Sequence, residues 1–163
     1  MIEDLQNNDD LDLFNSLLLE VDEADLEKFT SGGHNLLQKA CYSSKTYLVN
    51  SLLEHGMNVN GMASGTKMAP ILISASLGDK NTLETLLTSK PDLTVTKEMS
   101  KENLLHCYLK QDHERDPEYL KILLNQRDDD QEMQMRSIIN KKDINQNTAL
   151  HYAAQRWPQE AVR

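Results

Sequence analysis

Four segments of this 163-residue chain fall into one register. Asn35-Leu-Leu-Gln-Lys-Ala-Cys41, Asn103-Leu-Leu-His-Cys-Tyr-Leu109 and Thr148-Ala-Leu-His-Tyr-Ala-Ala154 align without gaps, and Ala69-Pro-Ile-Leu-Ile-Ser-Ala75 fits the same frame. The third position is Leu37, Ile71, Leu105 or Leu150, at spacings of 34, 34 and 45 residues. Such a period constrains the fold more than composition does. Each unit is too small to bury its apolar face alone and must stack on its neighbours. The first three segments lead to the doublets Leu52-Leu53, Leu86-Leu87 and Leu123-Leu124, each preceded three residues earlier by Val49, Leu83 or Leu120. That spacing predicts two short helices per unit, the second with apolar residues at i, i+3 and i+4. Gly56 stands where such a helix would end in the left-handed conformation that glycine adopts cheaply.

The frame resembles the ankyrin repeat, with its period of about 33 residues and its Thr-Pro-Leu-His-x-Ala signature. The best-matching stretch is Asn140-Lys-Lys-Asp143-Ile-Asn-Gln-Asn-Thr148-Ala-Leu-His151-Tyr-Ala153-Ala154, with Ala149 for Pro and Gln146 for Gly. The resemblance implies an all-α ankyrin-repeat solenoid of helix pairs joined by hairpin-like loops. Its units fall at about 31–62, 63–96, 97–139 and 140–163, behind an N-terminal capping helix pair within 1–30. The cap is read from Phe14-Asn-Ser-Leu17-Leu18, with Leu5-Gln6 as its first helix. The third unit is stretched by about three residues before Pro117 and about nine after Leu124. Both insertions are expected to be loops, and Pro117 to open a helix. In the fourth unit the second helix is expected near Gln159, and its doublet would fall past the last residue. The solenoid is therefore expected to be truncated at its C-terminus, as a fragment of a longer protein.

In this family the signature histidine is structural. The resemblance thus implies structural roles for His106, for His151 with its partner Thr148, and for Gly56. At the same position Gln38 and Leu72 imply an incomplete network. The family binds partners on the face made by hairpin tips and first helices. The partner-binding candidates by this frame are His34, Tyr42, Met62, Lys67, Ile73, Lys97, Lys101, Cys107, Lys110 and Tyr152. Cys41 is expected in the packing, and Cys107 is the thiol expected towards the open face.

Charge narrows the partner class. Residues 1–30 hold ten acids and one base, so they carry the whole net charge of −9, while the remainder is neutral. No basic footprint for nucleic acid is present. No apolar run reaches the roughly 20 residues of a membrane span. Two cysteines are too few for a disulfide framework. His106 and Cys107 are neighbours about 100° apart on a helix and cannot grip one metal. Gly61-Met-Ala-Ser-Gly65-Thr-Lys67 lacks phosphate-loop spacing and reads as a hairpin tip. Asp128-Asp129-Asp130 lacks the alternation of a calcium loop and reads as a solvated cluster. No cofactor and no nucleophile–base constellation are expected, so the chain is read as no enzyme.

The expected function is a cytoplasmic, non-catalytic module that binds a protein partner. Over most of its length the chain is also similar to the N-terminal ankyrin region of ankyrin-subfamily transient receptor potential cation channels, notably the painless-like insect heat and irritant sensors. The shared features are the acidic start, Lys39-Ala40, His55 to Asn60 as His-Gly-x-x-Val-Asn, and the Asp112 to Pro117 run. This likeness implies a whole protein in the plasma membrane whose pore helices lie beyond residue 163, and a tetramer only through that channel. A soluble scaffold or IκB-like inhibitor, and the regulatory region of a multidomain enzyme, are the alternatives.

Overall fold

A computed structural model describes residues 8–111, 116–125 and 128–156. Helix α1 (Asn8–Leu19) and the single turn α2 (Glu23–Leu26) precede a short hairpin of β1 (Thr30–Ser31) and β2 (His34–Asn35), antiparallel with Thr30 opposite Asn35. Then follow α3 (Leu36–Tyr42), α4 (Thr46–Glu54), α5 (Pro70–Leu77), α6 (Lys80–Thr88), α7 (Leu104–Lys110), α8 (Pro117–Leu124), α9 (Asp129–Ile138) and α10 (Ala149–Arg156). The regular structure of the described residues is thus helical apart from one two-stranded ribbon and two isolated bridges, Thr96 with Asn103 and Lys142 with Thr148.

The helices form two rows. In one, α3 packs on α5, α5 on α7 and α7 on α10; in the other, α4 packs on α6, α6 on α8 and α8 on α9. The sequence pattern explains both rows. Leu37, Ile71, Val49, Leu83 and the leading doublet residues Leu52, Leu86 and Leu123 are buried to within 1%, and Leu105 is 4% exposed. Each contributes about 1.5–3 kcal/mol through burial. Helix α5 is apolar on every side and has neighbours on every side: Pro70 to Ala75 are all buried. The rule loosens at the far end, where Leu150 is 73% exposed and Leu124 50%.

The backbone repeats with the side chains. Left-handed residues at the tips of successive loops are Gly33, Lys67, Lys101 and Gln146, with φ of 79°, 44°, 56° and 63°. Their spacings are 34, 34 and 45, the spacings of the apolar positions. Left-handed residues also follow the helices: Ser44 and Gly78 after α3 and α5, Gly56 and Lys90 after α4 and α6. At Gly56 the expected helix end is present. Gly56 N–H bonds Leu53 C=O and Met57 N–H bonds Leu52 C=O, both at 3.1 Å, the paired closure of a Schellman end.

Two expectations change, both in the insertion after Leu124. Within residues 1–30 the described helices are α1, whose Leu18 is buried against the stack while Leu17 is 59% exposed, and the turn α2; Leu5 and Gln6 lie outside the described residues, as does the segment around Gln159. Pro117 does open α8, behind Asp116, whose carboxylate accepts from Glu118 N–H at 2.9 Å. The insertion after Leu124, expected as a loop, instead contains α9. Asp128 caps it by accepting from Gln131 N–H at 3.2 Å; Asp129, Asp130 and Glu132 sit at the positive end of its dipole. Gln131, Met135 and Ile138 bury one face at i, i+4 and i+7. The acidic run is a helix start, and Asp128 also pairs with Lys90 at 2.6 Å.

Candidate functional site

The row of first helices and the loop tips beside it form one continuous face. Polar side chains inside the turns fix its geometry. Asn35 and Gln38 close a reciprocal cap: Gln38 N–H donates to Asn35 Oδ1 at 2.8 Å and Asn35 N–H to Gln38 Oε1 at 2.9 Å. Gln38 then reaches the next unit, with Nε2 donating to Met68 C=O at 2.7 Å and Oε1 accepting from Ala63 N–H at 3.3 Å. Two units on, at the same position of the repeat, fully buried His106 donates from Nε2 to Asn147 C=O at 3.0 Å. Glutamine therefore completes at residue 38 a tie expected to be incomplete there. At the same position between the second and third units stands Leu72, fully buried and without a polar atom to offer. Thr148 Oγ1 lies 2.7 Å from His151 Nδ1, the expected pairing, but His151 is exposed rather than buried.

The candidate contact residues divide by burial. Met62, Lys67 and Lys101 are exposed at the tips, and Tyr42 is 41% exposed on α3. Tyr42 meets half-buried His34 edge-on with ring centroids 4.8 Å apart, and its hydroxyl donates to Met68 Sδ at 3.7 Å. Lys97 and Lys110 are half-buried. Ile73 and Cys107 are fully buried and Tyr152 is 7% exposed, which removes all three from the contact surface. Tyr152 is a strut: its hydroxyl donates to Asp143 Oδ2 at 2.5 Å. Cys107 is not open to modification, since burial pushes its thiol up despite the counteracting Lys97 ammonium. Cys41 is likewise interior, pushed up to about 12 by burial and by Asp79.

One residue escaped sequence reasoning altogether. Glu102 is 4% exposed, and its carboxylate is shared by Lys97, 3.1 Å away, and Lys110. Burial pushes this carboxyl up, but the two ammonium groups outweigh that and hold it below the usual carboxylate range. Lys110 is held up, chiefly by its bond to Glu102. Burial pulls Lys97 down, yet Cys107 and Glu102 keep it above its ordinary value, so both lysines remain cationic. Nothing in the pattern marks Glu102, because its partners lie five residues before it and eight after it on separate elements.

Between the second and third tips lies an open groove of about 380 Å³, lined by 64–68 and 97–100. Lys67 and Glu98 pair across it at 3.0 Å, both more than half exposed, so the pair contributes little stability. Met99 stands 83% exposed on its rim. Among the described residues no three His, Cys, Asp or Glu side chains converge on a common metal position, and no helix is long and apolar enough to cross a membrane. No protein-family model matches the chain, and no curated protein matches it.

Proposed function

We propose that this chain is an ankyrin-repeat module with no catalytic role, binding a protein partner through its loop tips and first helices. The observation that carries the reading is the row of exposed side chains, Met62, Lys67, Met99 and Lys101, mounted on tips whose left-handed turns recur at 34 and 45 residues. Rigid turns that hold variable side chains at a fixed pitch suit recognition, because less conformational entropy is lost on binding. The cross-unit bonds of Gln38 and His106 support the repeat assignment.

A photo-crosslinking amino acid in place of Met99, or of exposed Glu84 on α6, tests this in cells that make the protein. A discrete protein adduct from position 99 and none from position 84 is expected. Equal adducts from both positions, or none from either, would refute the contact face. The likeness to ankyrin-subfamily channels further proposes that the module lies on the cytoplasmic side of a membrane protein. Its test is the reading frame downstream: six apolar segments of about 20 residues support a channel, and a catalytic domain or signalling tail overturns it.

A further inference from the structure

The chain is acidic as a whole, yet the tip-and-helix face is not. Lys39, Lys67, Lys97, Lys101 and Lys110 stand on it against Glu98, Glu102 and the buried carboxylate of Asp143. Glu102 is one carboxylate divided between two ammonium groups; Asp143 also acts on Lys110, but its oxygens accept from the Tyr152 hydroxyl and the Asn145 and Asn147 N–H groups, which leaves the lysine heads open to a further anion. Lys101 adds a further ammonium group at the tip; its backbone N–H is tied to Lys97 C=O at 2.9 Å. The Lys67–Glu98 pair spans the groove in solvent and opens at little cost.

The groove walls are fixed on both sides. On one, Gly65 packs so closely on Gly33 that a Cβ on Gly65 would lie 2.5 Å from Gly33 Cα. On the other, Ile144 N–H donates to Ser100 C=O at 2.9 Å. Apolar contact comes from methionines, half-buried Met68 and protruding Met99, whose flexible thioethers adapt to a range of side chains.

Resting on the contact-face reading above, we infer that this groove takes an extended acidic segment of a partner protein. Its carboxylates meet Lys101 and the Lys97–Lys110 pair, and an apolar side chain between them sits against Met68 and Met99. Nucleic acid also presents a negative backbone, but it offers no isolated aliphatic side chain for the methionines.

Fluorescence anisotropy with the full chain tests the inference. The probes are a labelled Glu-Asp-Glu-Leu-Glu-Asp-Glu peptide, its neutral Gln-Asn-Gln-Leu-Gln-Asn-Gln counterpart, and an oligothymidylate of about 12 nucleotides. The acidic peptide is expected to bind, and to weaken as salt rises from about 50 to about 300 mM. Lys101→Glu should weaken it about fivefold, and Met99→Ser should also weaken it. Lys121→Glu, the same charge change on α8, should leave it within about twofold. An equal loss from Lys121→Glu, no loss from Lys101→Glu, or no binding of the acidic peptide overturns the inference. Binding of the neutral peptide alone, still sensitive to Met99→Ser, overturns the acidic class and leaves the contact face standing. Oligothymidylate binding as tight as the peptide's overturns the peptide class.

Discussion

Ser44 holds a place that its counterpart 34 residues on gives to glycine, and this permits a controlled exchange. Ser44 has φ 51° and Gly78 φ 68°. Both close their helices in the same way: Ser44 N–H to Cys41 C=O and Lys45 N–H to Ala40 C=O at 3.1 Å, Gly78 N–H to Ala75 C=O at 3.3 Å and Asp79 N–H to Ser74 C=O at 3.1 Å. The Ser44 side chain is exposed. A left-handed L-residue costs about 1–2 kcal/mol. Glycine removes that cost but loses about 0.5–1 kcal/mol more conformational entropy on folding. Ser44→Gly should therefore stabilise by about 0.5–1 kcal/mol, seen as about 0.2–0.5 M in the urea midpoint or about 1–4 °C in Tm. Gly78→Ser should cost a similar amount, and the double exchange should restore the parent midpoint. Circular dichroism during urea unfolding reads all three. A Ser44→Gly variant less stable than the parent, or a Gly78→Ser variant with an unmoved midpoint, would refute the structural equivalence of the two turns.

Gly65→Ala forces a Cβ to within 2.5 Å of Gly33; thermal melts should show a loss of about 1–3 kcal/mol, and an unchanged Tm would contradict the close approach of the two loops. Because the Glu102 carboxyl is depressed below its unfolded value near 4.5, its contribution is fully present above that pH and is lost as pH falls through the folded value. Glu102→Gln should lower the urea midpoint at neutral pH and flatten its decline below about pH 4.5; a variant with the parent's acid limb would sink the assignment. Both thiols are buried and pushed up, so native protein should resist a disulfide reagent for many minutes and react at once in urea; prompt native labelling of Cys107 would overturn its placement.

The stack was legible in the sequence because apolar burial dictates it. Leu37, Ile71 and Leu105 can be counted, and they mark first helices that must be covered. The left-handed turns are legible at Gly56 and, through the family's glycine, at Gln146, but not where Ser44, Lys67, Lys90 and Lys101 stand in glycine's place. Neighbouring helices hold the backbone there and override local preference. Helix α9 was legible in principle, from Asp128 as a cap, Glu132 to Arg136 at i+4 and Gln131, Met135 and Ile138 on one face. It went unread because the repeat frame assigned those residues to an insertion. Of the contact candidates on loop tips, Met62, Lys67 and Lys101 lie at the surface and His34 and Lys97 are half-buried. Cys107 and Tyr152 do not reach the surface, because helix position alone does not settle which side faces the next unit. Gln38 was discounted for not being histidine, although its amide donor and acceptor serve the same two neighbours.

The seam at Leu72 differs in kind from those on either side of it. Gln38 and His106 bridge their junctions with directional bonds, whereas the corresponding bridge between the second and third units is replaced by a fully buried leucine. Apolar contact weakens on cooling in a way that hydrogen bonds do not. The contact at residue 72 thus loosens on cooling where its counterparts do not, and in the cold the middle joint relies on its other ties: Lys80 with Asp116 at 3.3 Å, Lys90 with Asp128 at 2.6 Å, and Leu93 N–H to Gln134 Oε1 at 2.8 Å.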